Sequence, residues 1–239
     1  MGSVVSAFLR RYFYFAMTLL LAAIVYYGFS HTIEENLFHG SFPRPAVLYV
    51  HAAAFSLWMV LLVVQSGLIA VARRPRWHRW LGWGGLVLGS AMPVLGVWSA
   101  LRMTRLRAGF GDLDDVVFLI LALWDMAAFA TLFGPAMLWR QRPEHHRRLI
   151  LMAACVISVA GLTRFPPWLP QIEGVVWPYY AYIDALMGLA VLRDLVVLRR
   201  VHPVFRVGLP VLIAGQAVAN TIYMTRPSWW MHTAEWLIR

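Results

Sequence analysis

The sequence contains no lysine and only one cysteine. All 21 of its Lys and Arg residues are arginines, and the single thiol belongs to Cys155. The absence of lysine excludes chemistry that needs a lysine amine, such as a Schiff base to retinal or pyridoxal phosphate, or the phosphate-binding lysine of a P-loop. A lone cysteine excludes an internal disulfide and any zinc or iron–sulfur site built from cysteines alone.

Charged residues are also scarce. They make up 13% of the chain, whereas apolar residues make up 61%, and an ordinary soluble domain is about a quarter charged. This composition excludes a soluble enzyme, an intrinsically disordered chain and a disulfide-stabilised scaffold. It predicts an all-α, polytopic membrane protein in which residues 1–239 form a single integral membrane domain.

Seven stretches are long and apolar enough to cross a bilayer, which takes about 20 residues. They are residues 12–30, 46–72, 80–101, 116–139, 149–165, 178–198 and 204–224. With the N-terminus in the cytoplasm, 14 arginines lie on the inner side and 7 on the outer side, as the positive-inside rule requires. The sequence therefore predicts seven transmembrane helices, with the N-terminus inside and the C-terminus outside. Its lysine-free, arginine-rich composition is typical of a GC-rich bacterium, so the predicted location is the bacterial inner membrane.

The net charge of +10 is therefore mainly a signal of topology. Nucleic-acid binding is not predicted, since the arginines lie in short loops rather than on one folded basic face; the lipid bilayer is the predicted partner.

At the C-terminus, residues 226–239 place Trp229, His232 and Trp236 at helical spacing. They predict a short interfacial helix on the outer surface, capped by Ser228.

One motif occurs twice. Residues 74–81 read RPRWHRWL and residues 142–149 read RPEHHRRL, so both fit R-P-x-x-H-R-x-L with an offset of 68 positions. In each copy one apolar span leads into the motif and another leads out of it. This predicts two parallel helical hairpins, residues 46–101 and 114–169, whose prolines start a helix. Packed side by side, the hairpins would bring His78 and His146 to the same depth.

These two histidines form the first candidate site. Two neutral imidazoles at equal depth on adjacent helices could ligate a b-type haem from both sides, with Arg79 and Arg147 pairing with its propionates. In the alternative interpretation, the histidines are polar residues that anchor helix ends to lipid headgroups. His145, directly before His146, leaves the identity of the second ligand open.

A second candidate site combines polar residues in the outer halves of four spans. They are His51, Asp125, Arg164 and Asp184. A lone charge near the bilayer centre is costly, so Asp125 should be protonated or paired. Arg164 and Asp184 are both near the outer surface and could pair. This set favours an outward-facing pocket or proton relay in a small transporter or proton-coupled permease. A structural polar network between the helices is the alternative.

A third group lies in the predicted outer loops. His31, His39 and His232, with Glu34 and Glu35, have residue types that could hold copper or zinc. Scattered loop histidines are more often solvated, so no metal site is assigned to them. A non-catalytic accessory subunit of a larger membrane complex remains a further functional alternative.

Taken together, these tracts resemble an uncharacterised family of bacterial polytopic inner-membrane proteins with repeated R-P-x-x-H-R-x-L motifs. The resemblance rests on His51, Trp58, Gln65, residues 78–82 and 142–149, the tract near Asp194 and His202–Pro203, and the tryptophan-rich C-terminus. It spans most of residues 40–239.

A His-Arg start to a membrane helix, used twice, is more distantly similar to membrane proteins of haem–copper oxidase assembly and to membrane cytochromes b. That resemblance implies haem binding or a redox-linked role, in electron transfer or oxidase assembly. The cytochromes place four histidines well inside their spans, whereas only His51 is clearly inside one here. The resemblance therefore implies a single haem at most.

Overall fold

The fold is all-helical in the residues that the computed structural model describes, which are 2–34, 39, 44–111, 113–165 and 177–239. Eight α-helices follow one another along the chain. They are α1 (Gly2–Ser30), α2 (Ala46–Ala70), α3 (Pro75–Ala108), α4 (Asp114–Leu138), α5 (Pro143–Leu162), α6 (Trp177–Leu198), α7 (Pro203–Thr225) and α8 (Ser228–Ile238). All of the predicted spans fall within α1 to α7, apart from one or two terminal residues and the last three residues of the fifth span.

Six helices are long and apolar enough to cross a membrane: α1, α2, α3, α4, α5 and α7. Large apolar side chains also cover their outer surfaces; Val87, Val94 and Leu138 are 72%, 67% and 78% exposed. Helix α6 is 22 residues long but carries Asp184, Arg193 and Asp194. Its three charges are spaced so that no stretch of α6 long enough to cross a membrane avoids them, and this spacing, not the length of α6, distinguishes it from the other six.

One end of the helical bundle collects the starts of α1, α5 and α7 together with the ends of α2 and α6. Arg10 donates to the carbonyl of Val197, and Arg11 donates to the carbonyl of Ala70, each over 2.9 Å. The rings of His145 and His202, at the starts of α5 and α7, are 4.7 Å apart. We call this the arginine-rich end. Helix α6 finishes there and packs against α5 and α7, and Asp184 within α6 contacts Gln216 within α7, so α6 runs alongside its neighbours.

Helix α5 forms the centre of the bundle. Residues 151–159 are consecutively buried, and α5 packs against α1, α4, α6 and α7. The contact with α1 is close because glycine faces glycine: a β-carbon at Gly28 would overlap the backbone carbonyl of Gly161. Cys155 is completely buried in this helix. The apolar stretch of α5, residues 151–159, is therefore surrounded by other helices.

The repeated motif begins a helix in both places. Pro75 and Pro143 start α3 and α5, and the preceding arginines adopt similar backbone angles. Proline suits the first position of a helix because that position needs no backbone donor. Helices α2 and α3 pack as one hairpin, α4 and α5 as a second, and α3 lies against α4. At Gly89 an added β-carbon would overlap the ring of Phe133, so the small residue lets α3 and α4 approach.

The C-terminal helix differs from the prediction in two respects. Pro227 occupies the N-cap position of α8 and no side chain caps the helix, so the predicted capping role of Ser228 is wrong. In addition, Trp230 is buried and its indole N–H donates to the carbonyl of Val117 on α4 over 3.4 Å. Trp229 and Trp236 remain 57% and 69% exposed. One face of α8 is therefore packed on the bundle and the other is open.

Candidate functional site

The structure brings His78 and His146 together at the arginine-rich end. Their ring centroids are 6.4 Å apart and the ring planes are inclined by 82°. Each histidine lies in the first turns of its helix, four residues after the arginine of the motif, and both rings are partly buried. The duplicated motif thus places two imidazoles, 68 positions apart in sequence, at one point between the two hairpins.

Both rings are oriented by the same kind of hydrogen bond. Nδ1 of His78 lies 3.3 Å from the carbonyl oxygen of Gln65, and Nδ1 of His146 lies 2.9 Å from that of Ala136. A carbonyl oxygen can only accept, so Nδ1 is the protonated nitrogen of each neutral ring and Nε2 keeps its lone pair. Metal-binding histidines are held in this way, with one nitrogen donating to a carbonyl and the other free to bind.

The two arginines predicted to accompany the histidines have different surroundings. Arg79 is exposed. Arg147 instead forms an ion pair with Glu144 at 2.5 Å, and its guanidinium lies 4.8 Å from the centre of the Tyr14 ring. Arg147 is therefore already engaged by a carboxylate, and only Arg79 is free of such a partner in the described part of the chain.

Beside the histidine pair lies a cluster of buried charges that the sequence analysis missed. Arg148 is completely buried and donates to Asp194 through Nε (2.8 Å) and through Nη2 (2.5 Å). Its third nitrogen donates to the carboxylate and the backbone carbonyl of Glu144, each over 2.7 Å. Arg193 also donates to Asp194, over 2.9 Å. We call these four residues, with Arg147, the charge cluster.

The charge cluster lies on two helices, contacts a third, and has excess positive charge. Glu144, Arg147 and Arg148 lie on α5, and Arg193 and Asp194 lie on α6; on α1, Tyr14 sits between the guanidinium groups of Arg147 and Arg193, at 4.8 and 5.4 Å from its ring centre. The Tyr14 hydroxyl and Nε of Arg193 are buried without a hydrogen-bond partner among the described residues. Breaking the buried pair of Arg148 and Asp194 costs several kcal/mol, because the remaining charge stays buried.

A sequence signal for this cluster did exist. Glu144 and Asp194 are the two acids on the predicted inner side, and both contact Arg148. In the positive-inside count, Arg148 is only one of 14 arginines on the inner side, so the count gives no sign that this arginine is buried. The two scarce acids, on the side where arginines abound, were the better indication of a specific ion pair.

The residues of the second predicted site do not meet at one place. His51 and Arg164 contact aromatic rings, whereas the two acids bind other side chains. His51 stacks on Phe55 with ring centroids 4.1 Å apart, and its Nδ1 is buried without a hydrogen-bond partner among the described residues. Arg164 lies in the turn after α5, where it donates to the carbonyl of Ala160 in the last turn of that helix and lies 4.3 Å from the centre of the Phe29 ring. The predicted pair between Arg164 and Asp184 is wrong, since no such ion pair occurs within the ranges described.

The two acids of that set bind neutral partners instead. Tyr180 on α6 donates to Asp125 on α4 over 3.0 Å, and Gln216 on α7 donates to Asp184 on α6 over 3.2 Å. Asp125 lies 11 residues into α4, about 16 Å from its start. The carboxyl groups therefore link α4, α6 and α7 without an arginine.

The predicted outer loops give no metal cluster in the described residues. His39 lies 3.5 Å from Glu34, His31 contacts Tyr27, and no group of three or more histidine, cysteine or acidic residues could hold an ion there. Of the other two members of that set, His232 is exposed on α8 and Glu35 lies outside the described residues.

His202 adjoins both the charge cluster and His145. It is the N-cap of α7, and its Nδ1 accepts from the backbone N–H of Val204 over 3.2 Å. Partial burial lowers the pKa of His202, and the nearby positive charge of Arg148 acts in the same direction. A neutral ring that accepts at Nδ1 must carry its proton on Nε2.

Comparison of the chain with protein-family models, curated protein sequences and solved structures finds no match.

Proposed function

We propose that this chain is a multi-pass membrane protein with seven spans, α1 to α7, and that its arginine-rich end faces the cytoplasm of a bacterial inner membrane. Two observations support this proposal. Helix α6 ends at the same end of the bundle as α2, and its charged residues Arg193 and Asp194 lie there, in a pair with Arg148. The positive-inside rule then assigns that end to the cytoplasm.

We further propose that the protein binds one b-type haem between His78 and His146 and that it serves electron transfer or haem handling. The observation that carries this proposal is the spacing of the rings. Two metal–nitrogen bonds of about 2 Å each, with the radii of two imidazoles, give a centroid separation of about 6 Å across a shared metal. The observed separation is 6.4 Å.

The surrounding residues fit such a group in part. Nε2 of each ring retains its lone pair, because Nδ1 is hydrogen-bonded to a backbone carbonyl. Arg79 is the residue available to a propionate; Arg147 is engaged by Glu144. Bound there, haem would supply one-electron redox chemistry. The protein's own contribution is to fix both imidazole rings and to place them beside the positively charged cluster.

Haem content per chain tests this proposal. The full-length protein is produced in a haem-replete bacterial host and purified in a mild detergent. We expect one haem per chain in the wild type, loss of haem in His78→Ala and in His146→Ala, and retention in His145→Ala, the matched control next to the ligand. Helicity and elution volume should be unchanged in all three variants. A haem-free wild type, or haem retained in both ligand variants, would overturn the proposal.

A proton-coupled permease is the second candidate function. It is favoured by Asp125 and Asp184, two acids inside predicted spans that bind only neutral partners in the described structure. Proton flux into liposomes, followed with a trapped pH-sensitive dye, tests it. Asp125→Asn should abolish the flux and the exposed Asp114→Asn should preserve it; no flux in the wild type would reject this function. Purification with stoichiometric partner proteins would instead favour the accessory-subunit alternative.

A further inference from the structure

A surface cavity lies where α6 gives way to α7, at the arginine-rich end. Its volume is about 540 Å³, and it is lined by Arg200, Val201, His202, Pro203 and Arg206. It is separate from the space between His78 and His146, since neither of those residues is among the described residues that line it.

The side chains that line this cavity offer hydrogen-bond donors. Arg200 and Arg206 are exposed guanidinium groups, and guanidinium groups bind phosphate oxygens in a fixed fork. His202 accepts at Nδ1 from Val204, so its remaining ring nitrogen carries a proton and donates. None of the described residues that line the cavity is acidic. The cavity therefore complements an anion with several oxygen acceptors.

The donors come from side chains and not from the start of helix α7. Pro203 has no N–H, the N–H of Val204 binds His202, and the N–H groups of Phe205 and Arg206 donate to the carbonyl of His202. The first-turn backbone groups are thus already engaged. The hydrogen-bond donors of the cavity are therefore the side chains of Arg200, His202 and Arg206.

Neighbouring acids do not neutralise this site. Glu144 and Asp194 are the acids whose charge reaches His202. Glu144 is paired with Arg147 and Arg148, and Asp194 is paired with Arg148 and Arg193. Neither Arg200 nor Arg206 has an ion pair within the described ranges, so their positive charge is available to a ligand.

We infer that this cavity binds the phosphate group of an anionic ligand, and that the ligand is the headgroup of an acidic phospholipid. The cavity lies at the ends of two long helices, where headgroups meet a membrane protein, and basic pockets between helices on the cytoplasmic side bind such headgroups. Val201 and Pro203 give it an apolar wall beside the arginines, which suits the glycerol backbone of a lipid better than it suits a free ion.

Native mass spectrometry of the full-length protein in a neutral detergent tests this inference. The probes are phosphatidylglycerol, phosphatidylcholine and inorganic phosphate. The site variant is Arg200→Gln with Arg206→Gln. The matched control is Arg73→Gln with Arg76→Gln, which removes the same charge from exposed positions at the same end of the bundle.

We expect the wild type to bind phosphatidylglycerol in preference to phosphatidylcholine. Each arginine near an anionic lipid contributes a factor of about five to binding, so the site variant should lose roughly 25-fold in affinity. The control variant should lose much less. Displacement of the lipid by millimolar phosphate would assign the same donors to a free anion; resistance to phosphate would assign them to the lipid. Equal losses in the two variants, or no preference for phosphatidylglycerol, would overturn the inference.

Discussion

The guanidinium group of Arg148 forms two hydrogen bonds with the carboxylate of Asp194, 46 positions further along the chain, at 2.8 and 2.5 Å. Both side chains are completely buried. The pair holds the start of α5 against the end of α6, and Arg193 and Glu144 complete the hydrogen bonding of its two members. The pair stabilises the fold only while both charges are present, since a buried charge that loses its partner is destabilising.

Asp194→Asn should therefore lower the free energy of unfolding by about 3–5 kcal/mol, because it leaves Arg193 buried without a countercharge and leaves Arg148 paired with Glu144 alone. Unfolding by SDS, followed by tryptophan fluorescence, measures this change. Glu235→Gln, at an exposed acid on α8, is the control and should alter stability by less than about 0.5 kcal/mol.

A double-mutant cycle extends this test to the pairing itself. Arg148→Gln combined with Asp194→Asn should cost less than the sum of the two single substitutions, because the double variant removes both charges together. Simple additivity would contradict direct pairing.

Glycine at position 28 should be essential for the contact between α1 and α5. Gly28→Ala would place a β-carbon into the carbonyl of Gly161, a backbone atom that cannot rotate away. We expect a loss of about 1–3 kcal/mol, typical of overpacking. Gly188→Ala is the matched control, since nothing lies within 4 Å of the added carbon; that substitution should be neutral or stabilising by up to about 1 kcal/mol. Similar stability of both variants would show that the helices are not closely packed at Gly28.

The helices and the meeting of two histidines could be predicted from the sequence, because both follow from local features. Apolar runs identify helices, and the repeated Arg-Pro pair marks a helix start near His78 and near His146. The ion pair of Arg148 and Asp194 could not be obtained in this way. It depends on how α5 and α6 rotate against each other, which spacing along either helix does not determine.

The same limit explains the error at Arg164 and Asp184. Both residues are near the outer surface, but depth in the bilayer fixes only one coordinate of a residue. Arg164 points towards Phe29 on α1, whereas Asp184 faces Gln216 on α7. In the case of the two histidines, depth sufficed because the helices that carry them belong to hairpins that pack side by side.

The proposed orientation predicts which engineered thiols a membrane-impermeant reagent reaches. Native Cys155 is completely buried, so it should give little background. Gln141→Cys is at the arginine-rich end and Ser228→Cys is beyond α7; both positions are exposed. In intact spheroplasts we expect labelling of Ser228→Cys alone, and labelling of Gln141→Cys only after lysis. The reverse pattern would invert the topology, and labelling of both from one side would contradict three crossings, by α5, α6 and α7, between the two positions.

The central claim is that His78 and His146 bind one iron together, and the electron paramagnetic resonance spectrum of the oxidised protein tests it most directly. Two imidazole ligands predict a low-spin ferric haem in the wild type. His78→Gly should lose the haem and with it the low-spin signal, and imidazole supplied during production, which fills the vacated position, should restore low-spin haem. A wild-type spectrum without low-spin haem, or a low-spin spectrum that survives His78→Gly without added imidazole, would contradict the account.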